Sequence, residues 1–358
     1  MKRFLDVMYD DTKNARKIKS CDYNHEGKYP IIDQSSKNVI GYTDEIDGLY
    51  KDVPVIIFGD HTRRFKLVEE PFFIGADGTK VLKLHSSVYD YKFIYYYLLH
   101  KKIPDTGYNR HFKWVKELEF PEIPRSIQSD IVKKFEVLND LIFSKNKLLE
   151  LFDILIKSRF EEVFNLAFVN VSLSRYIKEL KSGKSLAGES YNINKVLKTG
   201  AVSFDYFNDK EVKNLPISYT PLESHRVNVG DVIISRMNTA ELVGAAGYVW
   251  SIDDNVYLPD RLWSAILDEN INSIFVWQLI IHPKTKLQIQ RIATGTSGSM
   301  KNISKRKLLD IKVPWVPIIK QNELSNFVSQ INKLKSDVQK SIDETQLLMD
   351  SLMQEYFG

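Results

Sequence analysis

Residues 118–164 and 311–357 are one design written twice, offset by 193 positions without a gap. The first copy opens on Leu118, Pro121, Pro124 and Gln128 and closes on Phe164; the second opens on Ile311, Pro314, Pro317 and Gln321 and closes on Phe357. Between these landmarks the first copy carries Ile131, Phe135, Leu138, Ile142, Leu149, Phe152, Ile156 and Val163, interrupted at Lys145 and Arg159. The second carries Leu324, Val328, Ile331, Val338, Ile342, Met349, Leu352 and Tyr356, interrupted at Lys335 and Thr345. Steps of three and four mark a long amphipathic helix with a coiled-coil seam. Pro124 and Pro317 stand where an extended segment must stop and where a first helical turn tolerates a missing N–H. Leu141, Leu148, Leu155, Leu334 and Leu348 widen each stripe, which predicts more than one neighbour for each helix. A helix of roughly 37 residues is about 55 Å long. Equal length and register let the two helices lie together as an intramolecular coiled coil, with a globular part at either end. If they run antiparallel, the halves are related by a pseudo-twofold axis. The residues alone leave the direction open.

The remaining sequence supports two globular parts. The chain has 358 residues, 43% hydrophobic, 12% aromatic and 27% charged, which suits a globular protein with more than one core. Its start, MKRFLDVMYDDTK, has no apolar run or secretory cleavage pattern, and no window approaches a membrane span. Cys21 is the single cysteine, so no internal disulfide can form, in keeping with a reducing cytosol and a cytoplasmic location. The net charge of +4 is uneven: residues 165–317 hold 19 Lys and Arg against 14 Asp and Glu, whereas residues 1–124 hold 20 against 19. That excess is compatible with a polyanionic partner without requiring one.

Within the globular parts, 53–58 (VPVIIF) and 231–235 (DVIIS) read as short strands entered from turns. Each is followed by a polar stretch and then an apolar, aromatic helix candidate, 93–100 (FIYYYLLH) and 275–282 (FVWQLIIH). Each half next reaches a polar loop containing Thr-Gly, at Thr106 and at Thr294. The unit of duplication is therefore the whole half, with the helix held in register and the globular part diverged. The expected fold is α+β: a β-rich domain over 1–117, a proline-led approach and central helix over 118–164, a second domain over 165–310, and a proline-led approach and C-terminal helix over 311–358.

No catalytic constellation emerges, so the chain reads as a non-enzyme. The stretch 182–185 (SGKS) looks like the end of a phosphate-binding loop, but Lys178 stands where that loop needs glycine. Pro259-Asp260 and Asp268-Glu269 are spaced like a nuclease carboxylate cluster, yet Asn270 follows where a lysine is wanted, and a surface turn is the plainer reading. The seven histidines show no metal-ligand spacing, and one cysteine cannot build a zinc site.

The chain resembles the specificity subunit of type I restriction-modification systems. The residues that carry the resemblance are Gly27-Lys-Tyr-Pro-Ile-Ile-Asp-Gln34 with Gly41-Tyr-Thr-Asp44, Ile56-Ile-Phe-Gly-Asp-His-Thr-Arg63, Phe73-Ile-Gly-Ala-Asp-Gly-Thr79 and Thr106-Gly-Tyr-Asn-Arg-His111, together with the two helices and their Pro-x-x-Pro…Gln approaches. The second half departs from this pattern with Ser235-Arg-Met-Asn238 where the first has GDHTR. The resemblance implies two target recognition domains joined by helices in an antiparallel coiled coil. Each domain would read one half of a bipartite double-stranded DNA target, with a gap fixed by the helices. It further implies two modification subunits as partners, restriction subunits reached through them, and no cofactor on this chain. S-adenosylmethionine, ATP and magnesium are expected on the partner subunits.

For DNA contact, side chains able to reach base edges are sought on loops, with basic neighbours for phosphates. In the first domain these are His61, Arg63 and Arg64, then Tyr108, Asn109, Arg110, His111 and Lys113. In the second they are Arg236 and Asn238, then Thr296, Ser297, Ser299, Lys301 and Asn302, with Lys181, Lys184 and Ser185 as phosphate candidates. Each alone is also readable as a solvated surface residue, and His61 as part of a tight turn held by Asp60. The competing function is a protein adaptor that uses its duplicated helices without reading DNA.

Overall fold

The computed structural model describes residues 1–75, 77–107, 109–165, 169–295 and 300–358. It divides into two compact units, Met1–Lys147 with Val338–Gly358, and Leu148–Asp337, so that each long helix contributes to both.

The first unit is built on an antiparallel sheet in the order Met8–Asp10, Thr79–Leu84, Val55–Gly59, Phe65–Val68. The strand Val55–Gly59 is buried throughout, as its β-branched run requires of a strand covered on both faces. A smaller sheet pairs Tyr29–Ile32 antiparallel with Gly41–Thr43 and parallel with Phe73–Ile74. The helix Tyr91–His100 packs on the main sheet, and Asp90 caps it by accepting from Lys92 N at 2.8 Å and Phe93 N at 3.3 Å. Lys2–Arg3 pairs with Glu119–Phe120, closing the globular part where the helix approach begins.

The second unit repeats this plan and adds a short pair, Met237–Asn238 with Lys301–Asn302. Its main sheet runs Ile177–Lys181, Leu262–Leu267, Val232–Ser235, Ala246–Tyr248, again antiparallel throughout. Lys195–Leu197 pairs antiparallel with Val212–Asn214 and parallel with Val256–Tyr257. The helix Ser273–Ile281 is capped by Asn272, and Asn170–Ser172 pairs with Lys312–Pro314. Both expected strands and both aromatic helices are therefore present at equivalent places.

The long helices span Arg125–Asn165 and Ile318–Phe357, 41 and 40 residues, somewhat longer than the heptad pattern suggests because each starts directly after its proline approach. Together they form an antiparallel coiled coil. In the first unit, Phe135 stacks on Phe357 at 6.0 Å and Lys134 Nζ donates to Tyr356 Oη at 2.7 Å; Lys145 Nζ donates to Ser341 O (3.0 Å), Ser341 Oγ (2.7 Å) and Thr345 Oγ1 (2.9 Å). In the second, Lys335 donates to Asp153 at 2.7 Å, and Ile156, Phe160 and Val163 share a core with Leu324, Val328 and Ile331. Three of the polar seam positions, Lys145, Thr345 and Lys335, thus carry inter-helix links. Arg159 instead pairs along its own helix with Glu162.

The landmarks of the repeat have structural counterparts. Gln128 and Gln321 are fully buried. The side chain of Gln128 accepts from Asp90 N (2.8 Å) and donates to Val88 O (3.0 Å) and Ile123 O (2.7 Å). Gln321 accepts from Asn272 N (3.0 Å) and donates to Val316 O (2.7 Å). Each glutamine thereby fastens the first turn of a long helix to the capping residue of the neighbouring globular helix. At the other landmark, Phe357 lies against Phe93 and Tyr97 at 5.5 and 5.6 Å, and Phe164 stacks on His282 at 4.1 Å. The additional leucines of the widened stripe, Leu141, Leu148, Leu155, Leu334 and Leu348, stay exposed, as do Phe143, Ile154 and Leu347.

Candidate nucleic-acid interface

In an antiparallel four-stranded sheet, the C-terminal ends of the first and third strands lie beside the N-terminal ends of the second and fourth. In the first unit this end gathers Asp10, Thr79, Gly59 and Phe65, and the loops that leave it are tied together. Gln34 Oε1 accepts from His61 N (3.1 Å), its Nε2 donates to Asp77 O (2.8 Å), and Thr62 Oγ1 donates to Gln34 O (2.6 Å). Asp60 N donates to Gly78 O at 2.7 Å. Asp60 also holds the later loop: its carboxylate accepts from Phe112 N at 2.7 Å and its carbonyl from His111 N at 2.9 Å. Arg63 has φ +59°, a left-handed conformation uncommon outside glycine, and its guanidinium pairs with Asp105 at 2.7 Å. An ion pair from Lys17 holds the Asp77 carboxyl below the usual range, with Arg110 adding to the effect.

The structure therefore brings the two stretches proposed for the first domain into one surface. Arg64, Asn109, Arg110 and Lys113 are exposed there, and His61 and Arg63 are half-buried. His111 corrects the expectation. Its ring is fully buried, with Nδ1 2.9 Å from Asp60 O, so it anchors the loop instead of offering a hydrogen bond at the surface. Tyr108 lies outside the described residues. Gln34 and Asp105 were not singled out as contact candidates, and Asp60 only as a turn partner of His61, because their role is to join segments distant along the chain and no local pattern marks it.

The second unit uses the same end of its sheet, where Lys181, Leu262, Ser235 and Ala246 meet. Ser185 Oγ bonds the Asp260 carboxylate and accepts from Asp260 N at 3.3 Å. Arg236 Nε donates to Asn302 Oδ1 at 3.4 Å, and its guanidinium lies 5.6 Å from the Trp263 ring centroid. Met237 and Asn238 pair with Asn302 and Lys301, and Lys301 Nζ donates to Gly295 O at 2.8 Å. Arg236, Asn238, Lys301, Asn302 and Lys181 are half-buried, while Lys184 and Ser185 are exposed, Lys184 Nζ lying 5.9 Å from the Tyr219 ring. Thr296, Ser297 and Ser299 lie outside the described residues.

The apparent catalytic motifs have structural explanations. A Cβ on Gly183 would fall 1.9 Å from Leu258 O, so this glycine admits a close approach of two backbones. Asp260 and Asp268 flank opposite ends of the strand Leu262–Leu267, roughly 20 Å at 3.3 Å per residue. Asp260 engages Ser185, whereas Asp268 pairs with Lys178 at 3.2 Å. Among the described residues no group of three or more His, Cys, Asp or Glu could hold a metal ion, and no helix is long and apolar enough to cross a membrane.

No protein-family model matches the chain. The EcoR124I/EcoR124II type I restriction enzyme specificity subunit of Escherichia coli is 21% identical over 361 residues, covering 91% of this chain and 84% of that one. The EcoKI specificity subunit of Escherichia coli strain K12 is 23% identical over 190 residues, 52% of this chain and 41% of that one. Among solved structures, the type I restriction-modification S subunit from M. genitalium superposes with a TM-score of 0.63 at 16% identity, covering 100% of this chain and 95% of that one. The chain has the type I specificity-subunit fold. A second chain, from a structural study of complex assembly and conformational transition in the type I restriction-modification system, agrees with a TM-score of 0.57 at 16% identity, covering 98% and 94%. The similarity to type I specificity subunits thus extends over both globular parts and both helices.

Proposed function

We propose that this chain is the DNA-reading, non-catalytic specificity subunit of a type I restriction-modification complex. Each unit reads one half of a bipartite duplex target through the loops at one end of its four-stranded sheet. The observation that carries this reading is the repetition: two sets of polar and basic loops, different in sequence, leave the same end of two sheets of identical strand order. A duplicated scaffold with diverged loops is what reading two different half-sites requires, since specificity resides in the side chains that reach base edges. The first half-site is read with Arg63, Arg64, Asn109, Arg110 and Lys113, the second with Arg236, Asn238, Lys301 and Asn302, while Lys181, Lys184 and Ser185 lie toward phosphates.

The exposed apolar side chains of the long helices, among them Phe143, Ile154 and Leu347, support docking of the modification subunits. Those subunits carry S-adenosylmethionine, and the restriction subunits recruited through them carry ATP and magnesium. The assembly works on DNA in the cytoplasm. The test is long-read mapping of methylated adenines in cells expressing this chain with the modification subunit encoded beside it. A two-part motif with a constant gap, seen only with both proteins, is expected. Unchanged methylation despite complex formation would favour a protein adaptor.

A further inference from the structure

The sheet end of the second unit has one more feature, a loop over residues 203–207 beside the start of the edge strand Ala246–Tyr248. Asp205 at its centre has φ +63° and is held from several sides. Its carboxylate accepts from Ala246 N at 3.3 Å and pairs with Lys286; its carbonyl accepts from Trp277 Nε1 at 3.0 Å, and its N–H donates to Val202 O at 3.2 Å. A Cβ on Gly247 would fall 2.7 Å from Phe207 N, so the loop also lies hard against the strand. On either side of this pinned residue stand Phe204, 72% exposed, and Tyr206, 51% exposed, their rings stacked 6.3 Å apart at 18°. A non-glycine left-handed residue persists only where its surroundings over-determine it, and such positions concentrate at functional sites.

The equivalent loop of the first unit joins the same two strands of its small sheet. There Gln34 bonds His61 N and Thr62, while Asp33 O and Lys37 O accept from Lys66 Nζ on the edge strand, each at 2.6 Å. That loop belongs to the candidate DNA surface, and its tip carries half-buried Ser35 and exposed Ser36 and Lys37 with no aromatic residue. In the second unit the same station, adjacent through Ala246 and Ile234 to the strand that ends in Ser235 and Arg236, presents two aromatic faces.

We propose that Phe204 and Tyr206 form a base-stacking element that engages an unstacked step or base of the second half-site. This inference rests on the DNA-reading function proposed above. Aromatic faces are the chemistry that recognises the face of a nucleobase, and in a duplex that face becomes available only where stacking is opened. The second half-site is therefore read with an added wedge for which the equivalent loop of the first unit, at Ser35, Ser36 and Lys37, has no aromatic counterpart.

The test uses the complex of this chain with its modification subunit and synthetic duplexes of the mapped target, with 2-aminopurine placed at successive positions of the second half-site. Wild type is expected to raise the fluorescence at one position. The double variant Phe204→Ala, Tyr206→Ala is expected to abolish that rise and weaken target binding about ten- to a hundredfold. The salt dependence should stay unchanged, because no phosphate contact is removed. Both side chains are exposed and Asp205 is retained, so a melting curve matching wild type is expected. Equal fluorescence and affinity for variant and wild type would overturn the inference while leaving the proposed function standing. Loss of modification-subunit binding with DNA affinity kept would also overturn it, assigning the aromatic pair to a protein contact. A wild-type complex that selects no sequence on any duplex would instead defeat the DNA-reading function itself.

Discussion

Arg63 and Arg64 are neighbours with different expected roles. Arg63 is held in a left-handed turn and braced by Asp105, so its guanidinium is presented in a fixed direction; Arg64 beside it is exposed, with no carboxylate paired to it among the ion pairs of the described residues. Arg63→Ala should weaken binding to the correct first half-site by about ten- to a hundredfold and relax its sequence preference, as expected for loss of a base contact. Arg64→Ala should weaken binding to all sequences alike and lower the salt slope by about one. Competition titrations with half-site variants at several salt concentrations check both, and uniform losses for Arg63→Ala would reassign it to phosphate.

Asp231, at the turn before the strand Val232–Ser235, offers a pH test of the scaffold. Burial raises its carboxyl above the ordinary value of 3.8, against a hydrogen bond from Asn228 N at 3.0 Å. A raised folded pKa means that this residue favours folding below the unfolded pKa and loses that contribution as pH rises through the folded value. Asp231→Asn, which keeps an acceptor for Asn228, should therefore gain on wild type in urea midpoint between about pH 4 and pH 7. A constant difference across that range would exclude the titration as the cause.

Along the long helices the polar seam positions are more telling than the apolar ones. Lys145 is half-buried, and its ammonium donates to three oxygens around Ser341 and Thr345, which disfavours any other pairing that would leave the charge without acceptors. Lys145→Met should leave stability unchanged or raise it by about 1–2 kcal/mol, since a well-packed apolar residue often replaces a buried charge without loss. It should also relax the register. Spin labels at Lys133 and Glu355, both exposed, would show a broadened distance distribution in the variant; a single unchanged distance would deny Lys145 that role.

The helices were legible in the sequence because a seam of period 3.5 is a local signal repeated over many turns, and the second copy doubles it. The strands Val55–Gly59 and Val232–Ser235 were legible as β-branched runs. Sheet order was not, because pairing joins segments dozens of residues apart and leaves no local mark. His111 was misread for the same reason: the carbonyl that its buried ring bonds belongs to Asp60, 51 residues earlier. Phe204 and Tyr206 were passed over because nothing in a short aromatic stretch distinguishes a core segment from an exposed tip until Asp205 is seen pinned to Ala246 and Lys286.

The chain has two globular parts and two long helices, and the proposed function makes the helices responsible for the gap in the target. Deleting seven residues from each helix removes about 10.5 Å of rise, or about three base pairs at 3.4 Å per step. Adenine mapping with such a variant should return the same half-sites with a gap shorter by about that amount. An unchanged gap would mean that something other than helix length sets it.

The buried glutamines carry a consequence for how such chains can change. Gln128 and Gln321 meet the same kind of partner, the backbone N–H of a residue that caps a globular helix, so the junction keeps this contact although the globular parts have diverged. Each helix is in effect a standard mount. A globular part that brings an Asp or Asn cap and a proline-led approach meets the contact that either helix offers, so exchanging the two parts would require no redesign of the helices that hold them.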